Sequence, residues 1–242
     1  MGDASYNEIA EWYDTYLREN PIYADIVLPN VLALVGDVQG QSVCDLACGQ
    51  GWIARELARR GAHVTGIDLA ENLLTIARQH EMQSPLHIEY VPGDAQVARE
   101  LAGSSFNGCI CVMALMNMPD IPAVFSTVRR ILKPGGWFVF AITHPCFQTP
   151  GAQWITTPEG KIARVVNAYF NEDVWTSTSP GGVRSRVGEH HRMLSTYLNT
   201  LVDAGLIFEQ MVEPAANDEI SKRLPGNWEV PSIMLLRARR HV

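Results

Sequence analysis

The sequence predicts an α/β fold organised around a doubly wound, mostly parallel sheet of seven strands. Three observations carry that expectation. Short apolar runs alternate with segments of helical periodicity over residues 42–144, the pattern of strands joined by crossover helices. Four of the first five runs show little polar alternation, so both faces of the sheet should be buried. The first run, "SVCDLA", passes Asp45 and opens at once into Gly49 and Gly51 and then a helical stripe. Strand, glycine turn and helix together begin a Rossmann-like, nucleotide-type binding unit.

The elements follow in order. Residues 5–20 read as a helix with Ile9, Trp12, Tyr13 and Tyr16 on one side, stopped by Pro21, and residues 22–35 read as a second helical stretch. Strand one covers 42–47, and its helix carries Trp52, Ile53, Leu57 and Ala58 on one stripe. Strand two is 63–69 with a helix over 70–81; strand three is 86–95, ending in Gly93 and Asp94. Strand four, 106–115, precedes a helix at 121–136 whose stop is Lys-Pro-Gly-Gly, and strand five is 137–144. From Pro145 to about Gly188 the periodicity fails, yet Trp154, Tyr169, Phe170 and Trp175 remain, so this stretch reads as an inserted cap with strands near 161–170. A helix over 190–205 is closed by Gly205, and strands at 206–214 and 231–239 should pair antiparallel at one sheet edge. The whole is expected to be one domain: a helical lid (1–36), a ligand-binding core (37–144), the cap (145–190) and the final helix and strands (191–242).

Composition narrows the function. The chain is 47% hydrophobic, carries a net charge of −7 and has no polybasic run beyond "RARRH", which argues against a nucleic-acid partner. No apolar run approaches the roughly 20 residues of a membrane helix. The five cysteines form no C-x-x-C pair; their spacing argues against a metal site and for buried free thiols. Their odd number, without a recognisable leader, suggests a reducing, cytoplasmic setting.

The glycine turn admits two ligands. Gly49-x-Gly51-x-x-Ala54 satisfies the loose dinucleotide pattern, and Asp68 lies 19 residues after Gly49, where a ribose-binding acid belongs. Against a pyrophosphate stands Asp45, whose charge just before the turn repels anions and would suit a cationic ligand. Asp94 adds a polar group able to reach a base amine, and the paired final strands after a cap point the same way.

"VCDLACGQG" resembles the D-x-G-x-G-x-G loop of class I S-adenosylmethionine-dependent methyltransferases, with Ala47 at the first glycine. "GIDLAENLL", "GDA" and "ILKPGGWFVF" resemble that family's ribose, adenine and helix–turn–strand segments, and "YNEIAEWYD" the opening of its small-molecule members. The resemblance covers residues 5–143 and implies S-adenosylmethionine as cofactor. It implies that Asp45 supports the methionine end, that Ala47, Gly49 and Gly51 let the backbone pack against it, and that Asp68 accepts from the ribose hydroxyls with Leu69 beside the adenine. Asp94 would accept from the adenine amino group, the Ala95 backbone would face the ring, Met113 would lie under the sulfonium, and Tyr13 would close over the cofactor. Alanine for glycine at 47 is a mild departure if its backbone angles are ordinary.

The implied chemistry is methyl transfer to O or N of a small, apolar or aromatic acceptor by a monomer or homodimer. His144, at the end of strand five, is the candidate base; His190 or His191 would reach back from the next helix, Asn117 would contact the acceptor, and the cap aromatics would line its pocket. The rivals are a tRNA-modifying methyltransferase, a non-methylating cyclase or regulator on the same fold, and an NAD-dependent oxidoreductase.

Overall fold

A computed structural model of the chain describes residues 4–178, 181–216 and 229–242. The parts of the expected lid (1–3), cap (179–180) and final segment (217–228) that fall between them lie outside the described residues.

The expected sheet is present. Strands β1 (Ser42–Leu46), β2 (His63–Asp68), β3 (Glu89–Pro92), β4 (Phe106–Val112) and β5 (Leu132–Thr143) run parallel where they pair. With two late strands (Leu206–Val212 and Ile233–Arg240) they form one seven-stranded sheet. In space the order is β3, β2, β1, β4, β5, Ile233–Arg240, Leu206–Val212, and the last two strands are antiparallel to each other as expected. The order reverses direction between β1 and β4, and at such a switch point the loops leave to opposite faces and open a crevice at the strand ends.

Two helical layers cover the sheet. Side chains alternate along β5: Phe138, Phe140 and Ile142 pack into one core, Trp137, Val139 and Ala141 into the other. Helix α4 (Trp52–Arg59) drives Ile53, Ala54 and Leu57 into the second core, together with Val31 and Leu34 from the N-terminal region. Helix α5 (Glu71–Gln83) covers β2 and β3, and α6 (Ile121–Ile131) sets Phe125 among Phe138 and Phe140 at ring distances of 6.0 Å. Trp137 lies across β4 where Gly108 has no side chain; a Cβ there would sit 2.1 Å from the indole. Cys44, Cys48, Cys109 and Cys111 are buried and Cys146 half-buried, and all five are free thiols.

Several elements differ from the periodicity, and α6 also ends at Ile131, short of its expected stop at 136, because β5 already begins at Leu132. The first helix breaks at Ile9 into α1 (Ala4–Glu8) and α2 (Ala10–Glu19), and the second begins as a wide π-helical turn (Ile22–Val27) before α3 (Leu28–Val35). The third strand shortens to four residues because only Glu89–Pro92 finds β2 beside it. The cap holds a hairpin of β6 (Gln153–Thr156) and β7 (Ile162–Val165), then β8 (Val174–Trp175), α7 (Val183–Val187) and β9 (Glu189–His190). The last helix, α8 (Leu194–Asp203), starts after the histidines: His190 is extended and pairs with Val174, so the chain turns helical only past Met193. The late strands are then β10 (Leu206–Val212) and β11 (Ile233–Arg240).

Candidate active site

A cavity of about 400 Å³ lies beyond the carboxyl ends of β1, β2 and β4, roofed by the N-terminal helices and by the segment from Val187 to His190. Asp68 anchors it. One carboxylate oxygen accepts from the Gly49 N–H at 2.7 Å and the other from the Ala70 N–H at 2.8 Å, so a side chain at the end of β2 fixes the glycine turn after β1 and the start of α5. Asp45 ends up only 2% exposed. Burial, reinforced by the Asp68 charge, pushes its carboxyl up to about 8, against the pull of the Ala54 N–H. Among the described residues no cationic side chain pairs with it. A buried carboxyl with no cationic partner among the described residues suits a ligand that carries positive charge.

The turn is more strained than its sequence implies. Ala47 adopts φ +57°, so its backbone is not ordinary and the missing glycine has a conformational consequence. Met113, at the end of β4, is also left-handed at φ +57°, held by its N–H donating to the Ala141 carbonyl at 2.7 Å. Both line the cavity, and strain of this kind collects where a site is held in shape. Ala47→Gly should therefore raise stability by about 0.5–1 kcal/mol, net of glycine's greater unfolded-state freedom. Thermal unfolding checks this; a lower Tm would show that the methyl group's packing outweighs the strain.

The cavity brings together Tyr13, Asp45, Ala47, Gly49, Asp68, Leu69, Asp94, Ala95 and Met113. Asp94 lies on its wall, but its carboxylate is committed locally, accepting from the Gln96 backbone at 2.9 Å and from the Gln96 amide. Gly51 is set apart. It caps α4 at φ +80° with its face against the Tyr90 hydroxyl, where a Cβ would come within 2.1 Å, so its glycine is required by packing behind the turn rather than by the cavity.

The histidines are rearranged. His144 is 1% exposed and stands outside this cavity and the one adjoining it: its Nε2 lies 2.6 Å from Glu213 Oε1, its Nδ1 accepts from the Cys146 N–H at 3.2 Å, and its ring packs on Phe147. The turn that follows, closed by the Phe147 N–H donating to the His144 carbonyl at 3.1 Å, sets the ring against Phe147. His191 is likewise buried, bonded through Nε2 to the Tyr169 carbonyl at 2.8 Å. His190 does reach the cavity wall, and burial lowers its pKa.

A second chamber of about 370 Å³ adjoins the first. Tyr6, Tyr13, Tyr23, Met113, Asn117 and Glu189 line both, so the two meet there. The aromatic walls come from the N-terminal helices, not the cap. Tyr6 meets Tyr13 edge-to-face at 5.3 Å, and Tyr16 meets Tyr23 at 6.1 Å. The cap aromatics expected there are used elsewhere: Trp154 carries Arg164 over its ring at 5.0 Å, Trp175 carries Arg184 at 4.7 Å, the Tyr169 hydroxyl accepts from the Leu194 N–H, and Phe170 is 81% exposed. Asn117 donates to the Tyr6 hydroxyl at 3.0 Å and faces both chambers. Arg192 holds its loop through the Met118 and Pro119 carbonyls at 2.6 and 2.9 Å. Tyr6 and Glu189 were not singled out from sequence. Tyr6 sits on the same helical opening as Tyr13, whereas Glu189 stands in an irregular stretch with no local signal.

Fold and site together define an α/β protein with an acidic cavity at the switch point of its seven-stranded sheet. A family model for the methyltransferase domain matches residues 44–140. Ubiquinone biosynthesis O-methyltransferase of Bordetella avium is 38% identical over 136 residues, 54% of this chain and 56% of that protein. The chain thus spans about half the length of the curated relatives it matches. An S-adenosylmethionine-dependent methyltransferase from Mesorhizobium loti superposes with TM-score 0.76 at 29% identity, over 93% of this chain and 100% of that one. The [4+2]-cyclase SpnF shares the fold alone, at TM-score 0.70 and 16% identity over 99% and 96% of the two chains. The chain thus matches a methyltransferase domain in sequence over residues 44–140 and an S-adenosylmethionine-dependent methyltransferase in fold over nearly its whole length. The similar structures are S-adenosylmethionine-dependent, and a buried Asp45 carboxyl without a cationic partner among the described residues and an Asp68-braced turn are compatible with a cationic, ribose-bearing ligand of that kind.

Proposed function

We propose that the chain transfers a methyl group from S-adenosylmethionine to an oxygen or nitrogen of a small, apolar or aromatic acceptor. The observation that carries this reading is the pair of joined chambers, one acidic and built on the glycine turn, the other walled by tyrosines. When bound, the cofactor supplies an already activated methyl group, so the protein's work is to align the acceptor and exclude water. Asp68 would take the ribose hydroxyls, Asp45 the charged methionine end, and Leu69, Asp94 and Ala95 the adenine. Tyr13 would close over the cofactor from α2, and Met113 would sit beneath the reacting sulfur. The second chamber would receive the acceptor.

An oxygen acceptor is favoured by the relatives, which are named as O-methyltransferases. The rival cyclase reading shares only its fold with this chain, and a tRNA substrate would have to be met by a chain of net charge −7. No helix among the described residues is long and apolar enough to cross a membrane. We take the protein to be cytoplasmic, monomeric or homodimeric, and without a nucleic-acid partner. Calorimetric titration with S-adenosylmethionine, S-adenosylhomocysteine and NAD tests the reading. Micromolar binding of the first two and none of NAD is expected; NAD binding in their place would overturn it.

A further inference from the structure

With His144 and His191 outside both chambers and His190 lining only the first, the proton of a hydroxylic acceptor held where the two meet needs another destination. Among the described residues Glu189 is the one carboxylate that lines both chambers, and so stands where acceptor and methyl group must meet. It is 6% exposed. It follows Gly188, whose φ of +71° swings the chain out of α7 into β9 and turns this side chain inward. Arg184 Nε lies 2.8 Å from one carboxylate oxygen, and the Thr143 hydroxyl at the end of β5 donates to the same oxygen at 3.4 Å. Both hold that one oxygen, Oε2, in place. Burial raises this carboxyl while Arg184 and Thr143 pull it down. The other titrating groups that sense it are Tyr6 and Tyr197, both themselves raised by burial.

The chamber beside it favours a planar, hydroxylated guest. Tyr6, Tyr13, Tyr16 and Tyr23 present ring faces and edges, and Met113 and Met116 add polarisable thioethers. A phenol has a pKa of roughly 10 and arrives protonated near neutral pH, so it needs a base as it attacks. We propose, on the methyl-transfer reading above, that Glu189 is the catalytic residue that receives the hydroxyl proton of a phenolic acceptor seated in the second chamber. The acceptor's O–H bond breaks and its proton passes to a Glu189 oxygen. The freed oxygen pair forms the new C–O bond to the methyl carbon while the S–C pair returns to sulfur. The Arg184 guanidinium, no longer facing a carboxylate, then balances the charge gathering on the acceptor oxygen. The proton leaves to solvent when product departs.

The test uses the full chain with phenol, catechol and 4-nitrocatechol as acceptors, scored by S-adenosylhomocysteine formed between pH 5.5 and 9. The wild type should lose kcat/KM as pH falls through the raised Glu189 pKa, because a protonated carboxyl accepts nothing. Glu189→Gln should lower kcat by about 10²–10³ and abolish that acid limb, with S-adenosylhomocysteine affinity within about threefold of wild type. Glu189→Asp should keep the limb and part of the turnover, which also decides the matter if the Gln variant melts early. A Gln variant with wild-type kcat and an unchanged acid limb overturns the proposal. So does a wild type that binds S-adenosylmethionine yet methylates none of the three phenols. Failure to bind the cofactor at all would instead strike the methyl-transfer reading.

Discussion

Asp68→Ala should weaken S-adenosylmethionine and S-adenosylhomocysteine binding by roughly 100-fold or more. Two losses combine. The carboxylate is the group expected to accept from the ribose hydroxyls, and charge-assisted bonds of that kind contribute about 1.5–3 kcal/mol each. The same oxygens also accept from the Gly49 and Ala70 N–H groups at 2.7 and 2.8 Å, so their removal frees the turn that shapes the cavity floor. Stability should fall with affinity, because these N–H groups lose their acceptors in a buried place. Asp68→Asn retains a carbonyl acceptor and should lie between the two. Calorimetry on the three proteins reads the series, and an Ala variant with wild-type affinity would remove Asp68 from the ribose.

The second large effect concerns protons. Asp45 titrates near 3.8 when unfolded and at about 8 in the fold, raised by burial and then by Asp68. The folded chain therefore clings to this proton more than the unfolded chain does. Its contribution to stability declines as pH rises from about 4 toward 8, and is constant beyond. A cationic ligand reverses the preference and draws the carboxyl down, so binding below pH 8 expels the proton. At pH 6.5 the binding enthalpy should differ between phosphate and Tris buffers by close to one proton's worth of buffer ionisation. The association constant should rise about tenfold per pH unit toward pH 8. Asp45→Asn should abolish both effects; a wild type whose enthalpy ignores the buffer would show that Asp45 is already ionised before the ligand arrives.

The architecture was legible because its signals are local. Apolar runs of strand length, the glycine turn and Lys-Pro-Gly-Gly each act within a few residues, so the parallel core, the acidic strand ends and the antiparallel final pair could be read in order. Asp45, Asp68, Asp94 and Met113 converge because strand ends share one edge in any sheet of this kind. The differences fall where position depends on partners far along the chain. His144 ends strand five as expected, but Glu213, 69 residues away, takes its Nε2. His190 looked helical and is extended because Val174 pairs with it. Tryptophans expected to line a pocket hold arginines instead, and tyrosines from the far N-terminus line it.

The sequence by itself determined the sheet and which carboxylates stand at the ligand edge, since short-range periodicity and turn chemistry decide where each strand ends. Only the tertiary structure decided which face of the cap meets the core, that Ala47 is left-handed, and that Glu189 rather than a histidine stands between the chambers. Those outcomes follow from long-range packing and burial, in which a side chain's surroundings are supplied by elements that its neighbours in the chain do not specify.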